Sequence, residues 1–362
     1  MIRLRRIDHV GLRVADLAEA TARWSTQFGL TKSDRSGERA YLRCGYEPYA
    51  LELIEGDPGH DHTGWELRRG CTIEDAARHL ERHGVDHEQR DGSVFCHDLE
   101  GNGIQLLPFR DEDDRRPDIA RTEGSLPGFR PRKLGHVNFL TGRIAEQAEF
   151  YTRVLGMRQT DWLGDDAAWF HVNSDHHVMA LVNKGYSHFH HMAFDMLDFG
   201  MLRAAFDHLA QHGRWLGWGP VRHGVGQNIC GYVRITEEPL FVELYCDMEQ
   251  LEPDHEPRHW PDDRHSSNTW GPLPPRSYFR FDEQAIRYER ESLEMLGEKL
   301  PPLEELRAGA GAGGGDRGQG VRPPAGAGAG CRGSRGSRVR TRPQQGRSGS
   351  TSGAARAPRC WS

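Results

Sequence analysis

The sequence predicts an α+β chain built from a duplicated module, and three observations carry that expectation. A strand-like phrase occurs twice: Ile7-Asp8-His9-Val10-Gly11-Leu12 returns as Leu134-Gly135-His136-Val137-Asn138-Phe139. The spacing then holds. With the same offset of 127, Trp24 falls on Tyr151 and Phe28-Gly29-Leu30 on Leu155-Gly156-Met157; one step further, Ala40-Tyr41-Leu42 falls on Ala168-Trp169-Phe170 and Tyr49 on His177. Within each copy, short period-two apolar runs alternate with amphipathic helical stretches. Repetition over more than a hundred residues marks a doubled domain, because solenoid periods run ~20–50 residues. At 362 residues and 41.0 kDa the chain can bury two ordinary cores.

Each copy reads as strand, helix, then several strands. In the first (1–110), residues 5–14 alternate as a strand, and Asp16-Leu17-Ala18-Glu19-Ala20 opens a helix that ends near Gly29. Residues 40–53 supply two strands broken by Gly45-Tyr46-Glu47-Pro48. A helix over 72–83 follows, then a closing hairpin from 93–96 and 104–107 around Glu100-Gly101-Asn102-Gly103. An Asp/Arg/Pro-rich linker spans 111–132. The second copy (133–249) repeats the order: strand 134–141, helix 143–155, strands near 167–172 and 177–183. Strand 188–196, helix 199–212 and closing strands 228–235 and 239–246 complete it. Residues 250–307 are polar and punctuated by Pro and Trp before a helix over 282–297, and are expected to cover the second module.

The last segment, 308–362, holds ten Arg against one Asp, so the formal charge of −6 leaves about −15 on residues 1–307. An acidic body disfavours nucleic acid as its partner. The tail is Gly/Ala/Arg-rich and nearly without aliphatic side chains; it is expected to be disordered, since it cannot bury enough surface to offset ordering. No run reaches the ~18 apolar residues of a membrane span, and the first residues show no signal-peptide core. Seven scattered cysteines without a CxxC pair point away from disulfides and thiolate zinc, and toward the cytoplasm.

Three polar residues of the second module sit inside apolar strands: His136, His191 and Glu243. A buried carboxylate demands a partner or a metal. Two imidazoles with one carboxylate are the ligand set of non-haem Fe(II) with open positions. Linear matching puts His9, Gly64 and Gln105 at the corresponding places of the first module, so the set is expected in one copy only.

Five motifs in order then carry a resemblance: Leu134-Gly135-His136-Val137, Asn173 through Leu181, His190-His191-Met192-Ala193-Phe194, Gly219 through Asn228 with Tyr232 beyond, and Val242-Glu243-Leu244-Tyr245. Over about residues 5–250 the chain resembles the type I extradiol, catechol 2,3-dioxygenase-like enzymes of the vicinal oxygen chelate superfamily. The resemblance implies two tandem vicinal-oxygen-chelate modules, each of paired βαβββ units forming a cupped sheet, the first without catalytic metal. It implies Fe(II), or Mn(II), on His136, His191 and Glu243, with O2 as co-substrate and a small-molecule catechol opened beside its hydroxyls. His177 would act as acid and base, with His223 and Tyr232 bonding the substrate oxygens; a homo-oligomer is implied as well.

His176 and His177 face opposite sides of a strand, as do His190 and His191. Likeness to the family selects His177, and the phase of His136-Val137-Asn138-Phe139 selects His191, leaving His188 and His190 as supporting or surface groups. Arg222 is either a clamp for a substrate carboxylate or an ordinary surface residue. One departure stands out: Tyr232 and Glu243 are eleven apart where the family has ten, which predicts a wider turn or a bulge that re-aims Tyr232. The rival readings are a metal-dependent glyoxalase-type isomerase and a metal-free ligand-sequestering protein of the same superfamily.

Overall fold

The computed structural model describes residues 1–45, 47–111 and 128–295. Most of the linker and the whole 308–362 tail lie outside the described residues. Among the described residues two sheets form. The first takes β1 (Leu4–Val14), β2 (Thr31–Ser36), β3 (Arg39–Arg43), β4 (Leu51–Glu55), β5 (Gly59–Leu67), β6 (His87–Arg90), β7 (Ser93–His97) and β8 (Gly103–Leu107). They pair in the order β2-β3-β4-β1-β5-β8-β7-β6. This is two βαβββ units joined where β1 and β5 run antiparallel, each with its last strand parallel to its first.

The crossing helices follow from local chemistry. Asp16 caps α1 (Leu17–Phe28) by accepting from the Ala18 and Glu19 amides, and Gly29 ends it at φ 69. Thr72 and Asp75 form a reciprocal capping box on α2 (Ile73–Arg82). Trp24 and Phe28 of α1 are fully buried against the first sheet.

The second sheet repeats the plan with β9 (Lys133–Thr141), β10 (Arg158–Leu163), β11 (Ala167–His171), β12 (Met179–Asn183), β13 (His188–Asp195), β14 (Leu216–Arg222), β15 (Ile229–Ile235) and β16 (Leu240–Cys246). Its order is β14-β15-β16-β13-β9-β12-β11-β10, and β17 (Arg258–Trp260), from beyond the repeat, extends the β10 edge. The expected helix over 143–155 is in two pieces. An α-helix, α3 (Ile144–Glu149), passes into one π turn over Phe150–Val154, whose buried Tyr151 donates its hydroxyl to Asp98 Oδ2 of the first module at 2.9 Å. α4 (Phe199–Gln211) crosses the other half.

Buried charge also ties the two sheets together. Arg23 of α1 makes a two-pronged pair with Glu238, in the turn between β15 and β16, at 2.6 and 3.0 Å, with 5% and 1% of the two residues exposed.

That turn decides between the two expected alternatives, a wider turn and a bulge. β15 and β16 pair without a register shift, so the extra residue is taken up in the Thr236–Pro239 turn rather than in a bulge beneath Tyr232. The irregularities fall on β14 instead, between Leu216 and Val221.

Candidate metal centre

Strand register alone assembles the second-module cluster. Ala193 of β13 pairs with His136 of β9 on one side and Glu243 of β16 on the other. Tyr232 of β15 then pairs with Glu243. Directly opposed residues share a face, and His191, two residues from Ala193, shares it too. His136 Nε2 lies 3.0 Å and His191 Nε2 3.2 Å from Glu243 Oε2. Among the described residues, His136, His191 and Glu243 offer ligand atoms all within 4.8 Å of one another, and all three are buried.

Hydrogen bonding behind the cluster decides where the lone pairs point. The Tyr278 carbonyl can only accept, so His190 Nε2 donates to it at 2.9 Å; His190 Nδ1 is then an acceptor, taking the Nδ1 proton of His191 at 2.8 Å. This leaves His191 Nε2 bare, facing a carboxylate oxygen. Two acceptors at 3.2 Å repel unless a cation lies between them. Asn228 Nδ2 holds the other oxygen of Glu243 at 2.8 Å, and His136 Nδ1 is buried without a partner. The donor set therefore fits a divalent metal ion. His223, Cys230 and Glu243 form an overlapping group, with Cys230 Sγ 3.2 Å from His223 Nε2.

A second relay serves His177. Its Nδ1 meets His176 Nδ1 at 3.0 Å, and His176 Nε2 donates to Asp161 Oδ2 at 3.0 Å. Burial pushes the Asp161 carboxyl up, but the bonds from His176 and Arg258 outweigh it and hold it at about 2, so the carboxylate accepts. His176 Nδ1 is then the acceptor, His177 Nδ1 carries the proton, and His177 Nε2 is bare. Burial, followed by the charges of His136 and His176, holds His177 well below its ordinary pKa. Its ring lies 4.3 Å from that of His136.

His223 and Tyr232 flank the opposite side. His223 Nδ1 donates to the Ser267 carbonyl at 2.7 Å, leaving Nε2 to accept from the Tyr232 hydroxyl at 2.9 Å. Tyr232 stacks on Trp218 with rings 5.1 Å apart and 13° from parallel. Burial raises its phenol well above the ordinary range, so it stays neutral.

A family model, the Glyoxalase/Bleomycin resistance protein/Dioxygenase superfamily, matches residues 133–237. Over those residues the chain is similar to that superfamily. It is 28% identical over 312 residues to metapyrocatechase 2 from Cupriavidus necator, covering 76% of this chain and 92% of that one. In fold it is similar to homoprotocatechuate 2,3-dioxygenase from Brevibacterium fuscum, with a TM-score of 0.68 at 21% identity over 77% of this chain and 92% of the other. The Mn(II)-bound glyoxalase from Novosphingobium aromaticivorans gives 0.67 at 21% identity, over 76% and 94%. At those identities the structures speak for the fold alone.

Against the superfamily plan, the six residues singled out in the sequence meet in one place. The sequence places His190 among supporting or surface groups but gives no role to His176, Asn228 or Asp161, although the paired histidines at 176–177 are a visible signal. Segment 250–279 contributes directly: Arg258 and Trp260 bond Asp161, Ser267 holds His223, and Tyr278 holds His190.

One expectation about the first module fails. Linear counting set Gly64 against His191, yet Gly64 pairs with His9 as Ala193 pairs with His136, so the residue in the place of His191 is His62. Gln105 does stand where Glu243 stands, paired to Gly64.

Proposed function

We propose that this protein is an Fe(II)-dependent extradiol dioxygenase that inserts both atoms of O2 to open a catechol-type ring beside its two hydroxyls. The observation that carries this reading is the grouping of His177, His223 and Tyr232 around the His136/His191/Glu243 cluster, in a chain similar to metapyrocatechases. Two neutral imidazoles and one carboxylate suit Fe(II), with Mn(II) as the other candidate. When bound, the metal supplies a Lewis acid that acidifies the catechol hydroxyls and brings diol and O2 together.

The protein does the rest. His177, neutral and with its proton fixed on Nδ1, offers Nε2 as a base for one catechol hydroxyl and later returns that proton as the ring opens. Tyr232, whose hydrogen is committed to His223, keeps an oxygen lone pair for a substrate hydroxyl; turning that hydrogen toward the substrate stabilises charge building on the ring oxygen. Trp218 and Tyr278 wall this side and exclude water. The segment from 250 onward closes over the site by pairing Arg222 with Trp270 and by donating the Trp218 indole to the Pro272 carbonyl.

The five described cysteines are all free and buried, which suits a reducing cytoplasm, and no helix among the described residues is long and apolar enough to cross a membrane. A homo-oligomer completes the proposal, and sedimentation equilibrium measures it. The function is tested by loading the protein with Fe(II) without oxygen, then adding air and a panel of catechols. A yellow semialdehyde product supports the reading; inertness to every catechol, or turnover only of glyoxalase-type substrates, opposes it.

A further inference from the structure

The first module gathers a buried cluster of its own. His9 Nε2 and His62 Nε2 lie 2.9 Å apart, and Glu52 Oε2 is 3.6 Å from the first and 3.4 Å from the second. His9 and Glu52 are 0% and 4% exposed, His62 3%. The three come from adjacent strands, β1, β4 and β5.

Each ligand atom is aimed from behind. Asp8 Oδ1 lies 2.9 Å from His9 Nδ1, and Asp61 Oδ2 lies 2.8 Å from His62 Nδ1. Carboxylates accept, so both Nδ1 atoms carry protons, and the two facing Nε2 atoms need a cation between them, a shared proton or a metal ion. Glu52 is turned the same way: Oε1 takes an ion pair from Arg39, leaving Oε2 toward the imidazoles. Arg6 pairs with Asp8 and Arg13 with Asp61, so each orienting carboxylate has a cationic partner of its own. Three acceptors therefore converge on one buried point that only a cation satisfies.

The backbone has made room for this arrangement. A Cβ on Gly64 would collide with the His9 ring, and one on Gly11 with the His62 ring. The second module has Ala193 and Asn138 at those places. Gln105, 8% exposed, donates Nε2 to Ser93 while its Oε1 has no partner. Access exists as well: a cleft of about 730 Å³, lined by Arg13, His60, Asp61, His62 and Phe95, reaches the His62 side.

We propose that the first module binds a second divalent transition-metal ion on His9, His62 and Glu52. Compared with the other centre the carboxylate has moved, from the strand at Gln105 to the strand of Glu52. Two imidazoles with one carboxylate in this arrangement take Zn(II) or Fe(II). The inference stands apart from the dioxygenase reading, because no residue is shared between the two clusters.

The test is metal stoichiometry of the full chain, stripped with chelator, saturated with Zn(II), desalted and counted by mass spectrometry of the elements. The expected result is two ions per wild-type chain, one in H191A, one in E52Q and none in the double variant. A wild-type chain holding one ion with H191A holding none overturns the proposal and is the result that a shared imidazolium proton would give. Equal counts in H191A and the double variant overturn it too. Should the second-module centre be the one that fails, the pattern reverses: H191A keeps its ion and E52Q holds none. The wild-type and H191A counts leave the first module intact, so the decision does not depend on E52Q folding.

Discussion

His176 and His177 face each other through their Nδ1 atoms at 3.0 Å, and Asp161 on the far side of His176 settles which of the two carries the proton. Replacing His177 with Ala should lower kcat about 10²–10⁴-fold, the usual share of a positioned acid-base group, with metal content unchanged. His176→Phe removes the acceptor that fixes the His177 tautomer; it should lower kcat by about 10–100-fold and shift the pH profile of kcat, while KM moves little. Steady-state kinetics across pH with parallel metal counts separate these effects. Loss of metal in either variant would give these residues a different role.

Tyr232 stands directly opposite Glu243 across an unbroken antiparallel pair and stacks on Trp218. Tyr232→Phe keeps the stacking and removes only the hydroxyl. It should cost about 10²-fold in kcat, the usual value of one preorganised donor, at near-native thermal stability. A fully active Y232F would remove the hydroxyl from the mechanism.

Arg23 and Glu238 form their two-pronged pair in a nearly closed interface between the modules. Removing only the arginine strands a buried carboxylate, so R23A should destabilise by about 3–5 kcal/mol, whereas R23M/E238L together should come close to wild type. Denaturant midpoints give both numbers. A harmless R23A would mean that water reaches Glu238.

Acid should weaken the fold through neutral buried histidines. His171, 1% exposed, bonds Thr160 Oγ1 through Nδ1 at 2.7 Å and leaves Nε2 unpartnered; burial, then the charge of Arg158, lowers its pKa to about 4. Folded, the ring is neutral; unfolded, it takes a proton near 6.5. Between those values the unfolded chain binds more protons, so stability falls as pH drops from about 6.5 toward 4, by up to about 1.4 kcal/mol per pH unit for this group. His171→Gln should flatten that part of the profile in urea titrations at stepped pH. An unchanged slope would assign the acid sensitivity to other residues.

Much of this molecule was legible in its sequence because polar residues inside strongly apolar strands are conspicuous. His136, His191 and Glu243 stood out that way, and the doubled phrase at His9 and His136 marked the two modules. What linear counting could not follow was a change of spacing. The offset between the copies is 127 at His9 and His136 but 129 at His62 and His191, so a count held at 127 slipped from His62 to Gly64 and hid the first-module cluster. The repeated Asp-His dipeptides at 8–9 and 61–62 were the available clue, since each aspartate bonds the histidine after it. The contacts that Arg258 makes with Asp161 and Tyr278 with His190 were out of reach for another reason: they join segments 97 and 88 residues apart in the chain, and only the folded chain brings them together.

The most direct measurement is single-turnover reaction of the Fe(II)-loaded protein with a catechol under ¹⁸O2, read by mass spectrometry of the ring-opened product. The account predicts a semialdehyde cleaved beside the diol and carrying both labelled atoms. A dicarboxylate cleaved between the hydroxyls, a single labelled atom, or an unopened ring would contradict it.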